Sequence, residues 1–163
     1  TANIQKSADT FGPAGRTFVV IDVENLAGAG RLTPAMAQTV AGGLAGLAPG
    51  VPPHLRVVGC DAGNALTVKL AFPGDRLVTG RGPDGADFAL INAVDIRHTA
   101  GRFDRLIIGS GDGVFAPLAA QAAGEGMEVV VATGHGGLSR ALRFASHSQV
   151  SIVGGLPEHE EAA

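Results

Sequence analysis

Short β-branched and aliphatic runs alternate with helix-forming stretches from residue 17 to residue 153, and this alternation constrains the fold more than any other feature. The first run, 17-TFVVIDVEN-25, ends in acids. The second, 55-LRVVGC-60, leads to Asp61, and 76-RLVT-79, 105-RLIIG-109, 127-MEVVVA-132 and 150-VSIV-153 follow. Apolar runs of this length and type read as buried strands. Between the first two, Thr33 followed by Pro34 marks a helix start. The helix is expected to run to about Leu47, where 48-APGVPP-53 stops it. Further helices are predicted over 63–71, 86–99, 114–123 and 137–146. Phe115, Leu118, Ala119 and Ala122 share one face of the third of these. Strands that alternate with helices build a mainly parallel sheet covered on both faces. The expected architecture is a three-layer α/β/α sandwich, with ligands beyond the carboxyl ends of the strands, where strand order reverses.

Size and composition are consistent with one domain over 17–154, flanked by a polar tail at 1–16 and an acidic tail at 155–163. The chain has 163 residues, 45% of them hydrophobic, and contains neither Trp nor Tyr. Its core must therefore pack on Val, Ile, Leu and Ala. The formal net charge of −3 excludes a global basic field that could hold a polyanion unaided. Such a ligand would need a local Arg cluster or bridging cations. Cys60 is the single cysteine, which excludes a disulfide framework and argues against a Cys-based zinc site. No apolar run is long enough for a membrane span, and residues 1–16 lack the apolar core of a signal peptide. The expected setting is cytoplasmic and reducing, with no membrane partner.

Acids gather where the topology puts the functional edge. The first strand ends with Asp22, Glu24 and Asn25, the second with Asp61, and the fourth with Ser110 and Asp112. The helix after the third opens with Asp84 and Asp87. Carboxylates brought together repel unless a cation neutralises them or one takes a proton. Hard oxygen donors with few His or Cys favour Mg²⁺ or Mn²⁺ over Zn²⁺. Each acid also has a local explanation: Asp84 and Asp112 can cap the helices that follow them, and Asp87 suits the positive end of a helix dipole.

The loop 109-GSGDG-113 also begins like a dinucleotide fingerprint. The third glycine of that fingerprint would fall at Val114, however, and Glu128 begins the next strand rather than ending it. Ser110 and Ser139 have no visible base partner, and His135 stands alone in a turn. The candidate phosphate contacts are Arg31, Arg81, Arg140 and Arg143, of which the last two share a helix face.

Three stretches together resemble the NYN domain, a branch of the PIN-like nucleases. These are 21-IDVENL-26 for an Asp-x-x-Asn strand end, 85-GADFAL-90 for a Gly-x-Asp helix start, and 109-GSGDGVFAPL-118 for a Ser-Gly-Asp motif. The segment 136-GGLSRALRFAS-146 followed by 150-VSIV-153 is similar to a bacterial subgroup. The resemblance covers about residues 17–153 and implies a Rossmann-like fold and metal-dependent RNA cleavage. By position it implies Asp22, Asp87 and Asp112 as the catalytic acids and ligands of Mg²⁺ or Mn²⁺. It gives Asn25 and Ser110 the task of holding a carboxylate, a water or the scissile phosphate. Beside these, Arg81 and Arg140 remain candidate phosphate contacts on the residue reading alone. Many members carry a second acid two residues after the Asp of Ser-Gly-Asp; here that position is Val114. Where a further acid often follows Gly-x-Asp, this chain has Asn92 and Ala93, with Asp95 out of register.

The leading expectation is a metal-dependent endoribonuclease acting on RNA phosphodiesters, with Glu24 or Asp61 available to supply a further oxygen. The alternatives are a catalytically weakened NYN-type module that binds RNA or protein, and a protein that binds a nucleotide cofactor through the glycine loop. A homodimer or a protein partner stays open.

Overall fold

The computed structural model describes residues 15–48, 50–52 and 55–153. All but the last two residues of the expected polar tail, the acidic tail 155–163, and Pro49 and Pro53 of the expected helix stop lie outside the described residues. Six strands form one all-parallel sheet in the order β3-β2-β1-β4-β5-β6. They are β1 (Thr17–Asp22), β2 (Arg56–Asp61), β3 (Arg76–Gly80), β4 (Arg105–Gly109), β5 (Glu128–Thr133) and β6 (Ser148–Ser151). The chain winds outward from β1 to β3, returns to β4 beside β1, and winds outward again. The carboxyl ends of β1 and β4 are therefore the switch point, where the loops diverge and leave a crevice.

Alternation along each strand divides the core into two apolar layers. Val19 and Ile21 of β1, Val58 and Cys60 of β2, Ile107 of β4 and Val130 of β5 face one side. There they meet α1 (Val23–Ala27), α2 (Pro34–Leu47) and α3 (Ala65–Ala71) through Leu26, Val40, Leu44 and Val68. Val20, Val57, Leu106, Ile108, Val129 and Val131 face the other side. That layer is closed by α4 (Gly85–Asn92), α5 (Ile96–Ala100), α6 (Ala116–Gly124) and α7 (Arg140–Ala145) through Leu90, Ile96, Leu118 and Leu142. The result is the expected three-layer α/β/α sandwich. Among the described residues no helix is long and apolar enough to cross a membrane.

Several expected boundaries are corrected, each for a local reason. The end of the first apolar run is helical rather than extended: Asp22 Oδ1 accepts from the Asn25 N–H at 3.2 Å and starts α1. The predicted helix over 86–99 is two helices. Asp95 Oδ1 accepts from the His98 N–H at 3.1 Å, so a cap stands where the first helix would have continued. The predicted helix over 137–146 begins only at Arg140, because Ser139 caps it by accepting from the Leu142 N–H. Ahead of α6, residues 113–115 form a 3₁₀ turn with Pro117 in the first helical turn behind it.

One close approach sets the height of α4 above the sheet. Gly59 of β2 lies opposite Asp22 of β1 in register, on the strand face that carries Val57. A Cβ at Gly59 would run into the buried side chain of Leu90, which packs directly on this glycine. Gly59→Ala is therefore expected to overpack this contact and lift α4, at a cost of about 1–3 kcal/mol. The melting temperature should fall by roughly 2–10 °C in a thermal scan. An unchanged melting temperature would mean that Leu90 does not depend on that gap.

Candidate functional site

Strand parity and register bring the key side chains together. Asp22 follows Ile21 with the parity of Val20, so it faces the α4 side of the sheet. Ser110 follows Gly109 with the parity of Ile108, and Ile21 pairs with Gly109 across β1 and β4. The two side chains are thus neighbours one step beyond the ladder, and Ser110 Oγ donates to Asp22 Oδ2 at 3.0 Å. Ser110 is fully buried, and its Oγ also accepts from the Asp112 N–H at 3.1 Å. Of the roles anticipated for this serine, holding a carboxylate is the one its geometry provides. Asp112 Oδ1 accepts from the Val114 N–H at 2.9 Å and so also caps the 3₁₀ turn.

Asn25 ties the loops together rather than projecting freely. Its Oδ1 accepts from the Gly111 N–H at 2.8 Å, and its backbone oxygen accepts from the Gly136 N–H at 3.1 Å. The segment after β5 is strapped over the switch point by two more bonds, His135 N–H to Leu26 O and Ser139 N–H to Gly111 O, both 2.8 Å. Gly111 packs so closely on the Gly137 carbonyl that no Cβ fits there. The glycines of 109-GSGDG-113 therefore serve close backbone approach.

These elements surround an open cleft of about 530 Å³ lined by Asp22, Glu24, Asp61, Asp84, Asp87 and Asp112, together with Asn25 and Gly136. No Lys, Arg or His of the described residues lines it. Asp87 reaches it from the first turn of α4, and Asp84 from the residue before, in a left-handed conformation (φ 57°) without a side-chain capping bond. Burial raises Asp22 from 3.8 to about 7, against the Asn25 N–H bond and with help from the Asp87 charge. Burial also raises Asp87 to about 6, aided by the charges of Asp112 and Asp84 and opposed by a side-chain hydrogen bond with Asp22. The two carboxyls are thus in contact, and without a cation they relieve their repulsion by holding a proton.

Glu24, which the sequence placed only loosely, proves to be a structural and electrostatic part of the cleft. Its Oε1 accepts from the Asp61 N–H and from Asn64 Nδ2, both at 2.7 Å, while its Oε2 is buried without a partner. Asn64 is buried and also binds Gly30 O and the Leu32 N–H. Nothing in the sequence singled out Asn64, because an Asn in a short helical stretch has no distinctive spacing. Arg81 and Arg140 are exposed and do not line the cleft, and neither do Arg31 and Arg143. His135 is exposed and borders a separate apolar groove beside Leu26 and Met36. Cys60 is buried beneath β2's end, and burial pushes its thiol up to about 12, so it stays protonated.

Among the described residues, no group of three or more His, Cys, Asp and Glu side chains is arranged to hold an ion. The donors that do stand together are Asp22 and Asp87, with Asp112 close enough to act on Asp87 through its charge. That set fits the habits of Mg²⁺, which takes one or two carboxylates and completes its shell with water and phosphate oxygens rather than a closed protein cage. The buried, unpartnered Glu24 Oε2 adds to the unneutralised charge of the same cleft.

No family model matches the chain, and no curated protein matches it. Among solved structures, the crystal structure of a protein of unknown function from Vibrio parahaemolyticus has the same fold, with a TM-score of 0.55 at 15% identity. The match covers 87% of this chain and 96% of that one. The likeness establishes the α/β/α fold, and the class this chain belongs to structurally is that of doubly wound, Rossmann-like parallel sheets.

The raised carboxyls carry a pH signature. A carboxyl whose pKa is higher folded than unfolded binds more protons in the folded state between the two values, so stability falls as pH rises through that window. In metal-free buffer the melting temperature is expected to fall as pH rises from the ordinary 3.8 towards about 7, the upper limit set by Asp22, and then to level off. Asp87 and the buried Asp75 shift in the same direction, whereas Asp104, lowered by hydrogen bonds from Arg16, acts only below this window. Asp22→Asn should flatten most of the slope. An equal slope in wild type and variant would contradict a protonated Asp22–Asp87 pair.

Proposed function

We propose that this protein is a metal-dependent endoribonuclease of NYN, PIN-like type that hydrolyses RNA phosphodiester bonds. The observation that carries the reading is the convergence of Asp22, Asp87 and Asp112, from three separated sequence motifs, on one acidic cleft at the switch point. A cleft lined by acids, with no lining Lys, Arg or His among the described residues, cannot by itself attract a phosphodiester, so a cation is the missing component. Asp22 and Asp87 would hold Mg²⁺ or Mn²⁺, with Asp112 beside them and Glu24 in the same cleft to offer a further oxygen. A bound ion of this kind would supply the positive charge and the acidity that makes water a nucleophile near neutral pH.

The chain's own groups would do the rest. Ser110 fixes Asp22 by donating to Oδ2, which leaves that carboxylate one orientation. Asn25 holds the Gly111 amide and so positions the turn that carries Asp112. Arg140, one residue beyond the Ser139 that is bound to Gly111, and Arg81, ahead of α4, would be the cations to meet phosphates beyond the cleft.

With Mn²⁺ or Mg²⁺, purified wild type is expected to cleave a labelled RNA, and Asp22→Asn, Asp87→Asn and Asp112→Asn should each lose at least about 100-fold in rate. Ser110→Ala should lose roughly 10- to 100-fold, as expected for a residue that orients a ligand. Equal residual activity in wild type and all variants would identify a contaminant and sink the proposal.

A second reading, a weakened RNA- or protein-binding module, is favoured by one observation. Val114, where related motifs carry an acid, packs partly buried against the α4–α7 apolar layer and does not line the cleft. Calorimetric titration separates the two readings: Mn²⁺ uptake that is lost in Asp22→Asn supports the nuclease, and no uptake at millimolar concentration supports the module.

A further inference from the structure

The chain has seven phenylalanines and no other aromatic residue except histidine. Of those described, Phe72 and Phe115 are buried in the two cores, and Phe18 and Phe103 are partly buried, with tilted rings whose centroids are 5.3 Å apart. Phe88 and Phe144 differ: the two residues are 54% and 80% exposed. Both lie on the same layer of the sandwich, and both are on helices that pack against the 3₁₀ turn opened by Asp112, Phe88 on α4 and Phe144 on α7. Phe88 directly follows the cleft residue Asp87. Phe144 lies four residues beyond Arg140, about 6 Å of helical rise from it. Arg140 and Arg143, on the same short helix as Phe144, are exposed and hold no ion pair among the described residues.

We propose that Phe88 and Phe144, exposed on the two helices that pack against the turn opened by Asp112, are nucleobase-stacking platforms that grip the substrate through unpaired bases. This rests on the ribonuclease reading above and deepens it by naming the residues that hold the substrate's bases. An exposed ring can stack on a base only when that base is unpaired, because a duplex hides base faces inside its own stack. Stacking also supplies affinity that needs no positive field, which suits a chain of net charge −3 with an acid-lined cleft. Arg140 and Arg143 add phosphate contacts next to one platform, the pairing of aromatic and arginine found where single strands are held without sequence preference. The exposed Leu66 and Leu70 lie on α3, on the opposite layer of the sheet, and form no part of this surface.

The test uses the full chain in Ca²⁺ buffer with a short fluorescent RNA, alone and annealed to its complement, read by anisotropy. Wild type should bind the single strand more tightly than the duplex. Phe88→Ala and Phe144→Ala should each weaken single-strand binding by roughly 5- to 100-fold, with little change on duplex, while Leu66→Ala should change neither. Because the chain has no Trp, Phe88→Trp introduces a single indole reporter. This variant should keep its affinity, and its emission should be quenched by the single strand. Alanine variants that bind like wild type, losses that are equal on duplex, or an indole signal that bound RNA does not move would overturn the proposal. Metal-dependent cleavage by wild type alongside any of these results would defeat the stacking inference alone. Absence of both cleavage and binding would defeat it together with the ribonuclease reading.

Discussion

The carboxyl group of Asp22 is the point on which the site depends. It sits at the end of β1, is 5% exposed, and is held from two directions, by the Asn25 N–H on Oδ1 and by Ser110 Oγ on Oδ2. The first bond turns β1 into α1. The second joins β1 to β4 across the switch point. A single side chain therefore starts a helix, ties the two halves of the sheet and meets Asp87 from α4. Its burial disfavours ionisation and, with the neighbouring Asp87 and Glu24 charges, raises it to about 7.

Around that carboxyl the structure is assembled largely from backbone. Glycines at 59, 111 and 136 let Leu90, Gly137 and Asn25 approach where a side chain would intrude. Asn25 and Asn64 then satisfy the amides and carbonyls that such loops leave over. The acids lining the cleft are thus held on short, cross-linked turns rather than on free loops. The positive groups lie elsewhere: Arg140 and Arg143 are on the outer side of α7, and Arg81 is in the exposed loop before α4. The cleft lining is thus acidic, and these arginines lie outside it on exposed surface.

Much of the fold was legible in the sequence because burial on both faces leaves continuous apolar runs. The first five runs became β1 to β5, and Thr33-Pro34 set the start of α2 as expected, with its end at Leu47, whereas the run at 150–153 overlaps β6 (Ser148–Ser151) only at its first two residues. The other errors fell where a polar side chain outcompeted periodicity. Asp95 interrupted a helix that hydrophobic spacing would have continued, and Asp22 and Ser139 began helices where the sequence had suggested a strand end and an already formed helix. Capping depends on where an oxygen points, which spacing does not record.

For the candidate site, the sequence by itself determined which acids stand at the carboxyl edge, because a parallel sheet puts every strand end there. It also determined that they carry no neutralising partner in their own motifs. Only the tertiary structure decided which of them touch. Asp22 meets Ser110 because β1 and β4 are adjacent in register, and it meets Asp87 because Gly59 admits Leu90 and lets α4 sit low. It also decided that Ser110 is buried and that Arg81 and Arg140 stand outside the cleft. The reason is physical: strand order and helix height are set by packing between residues far apart in the chain, and no local pattern encodes them.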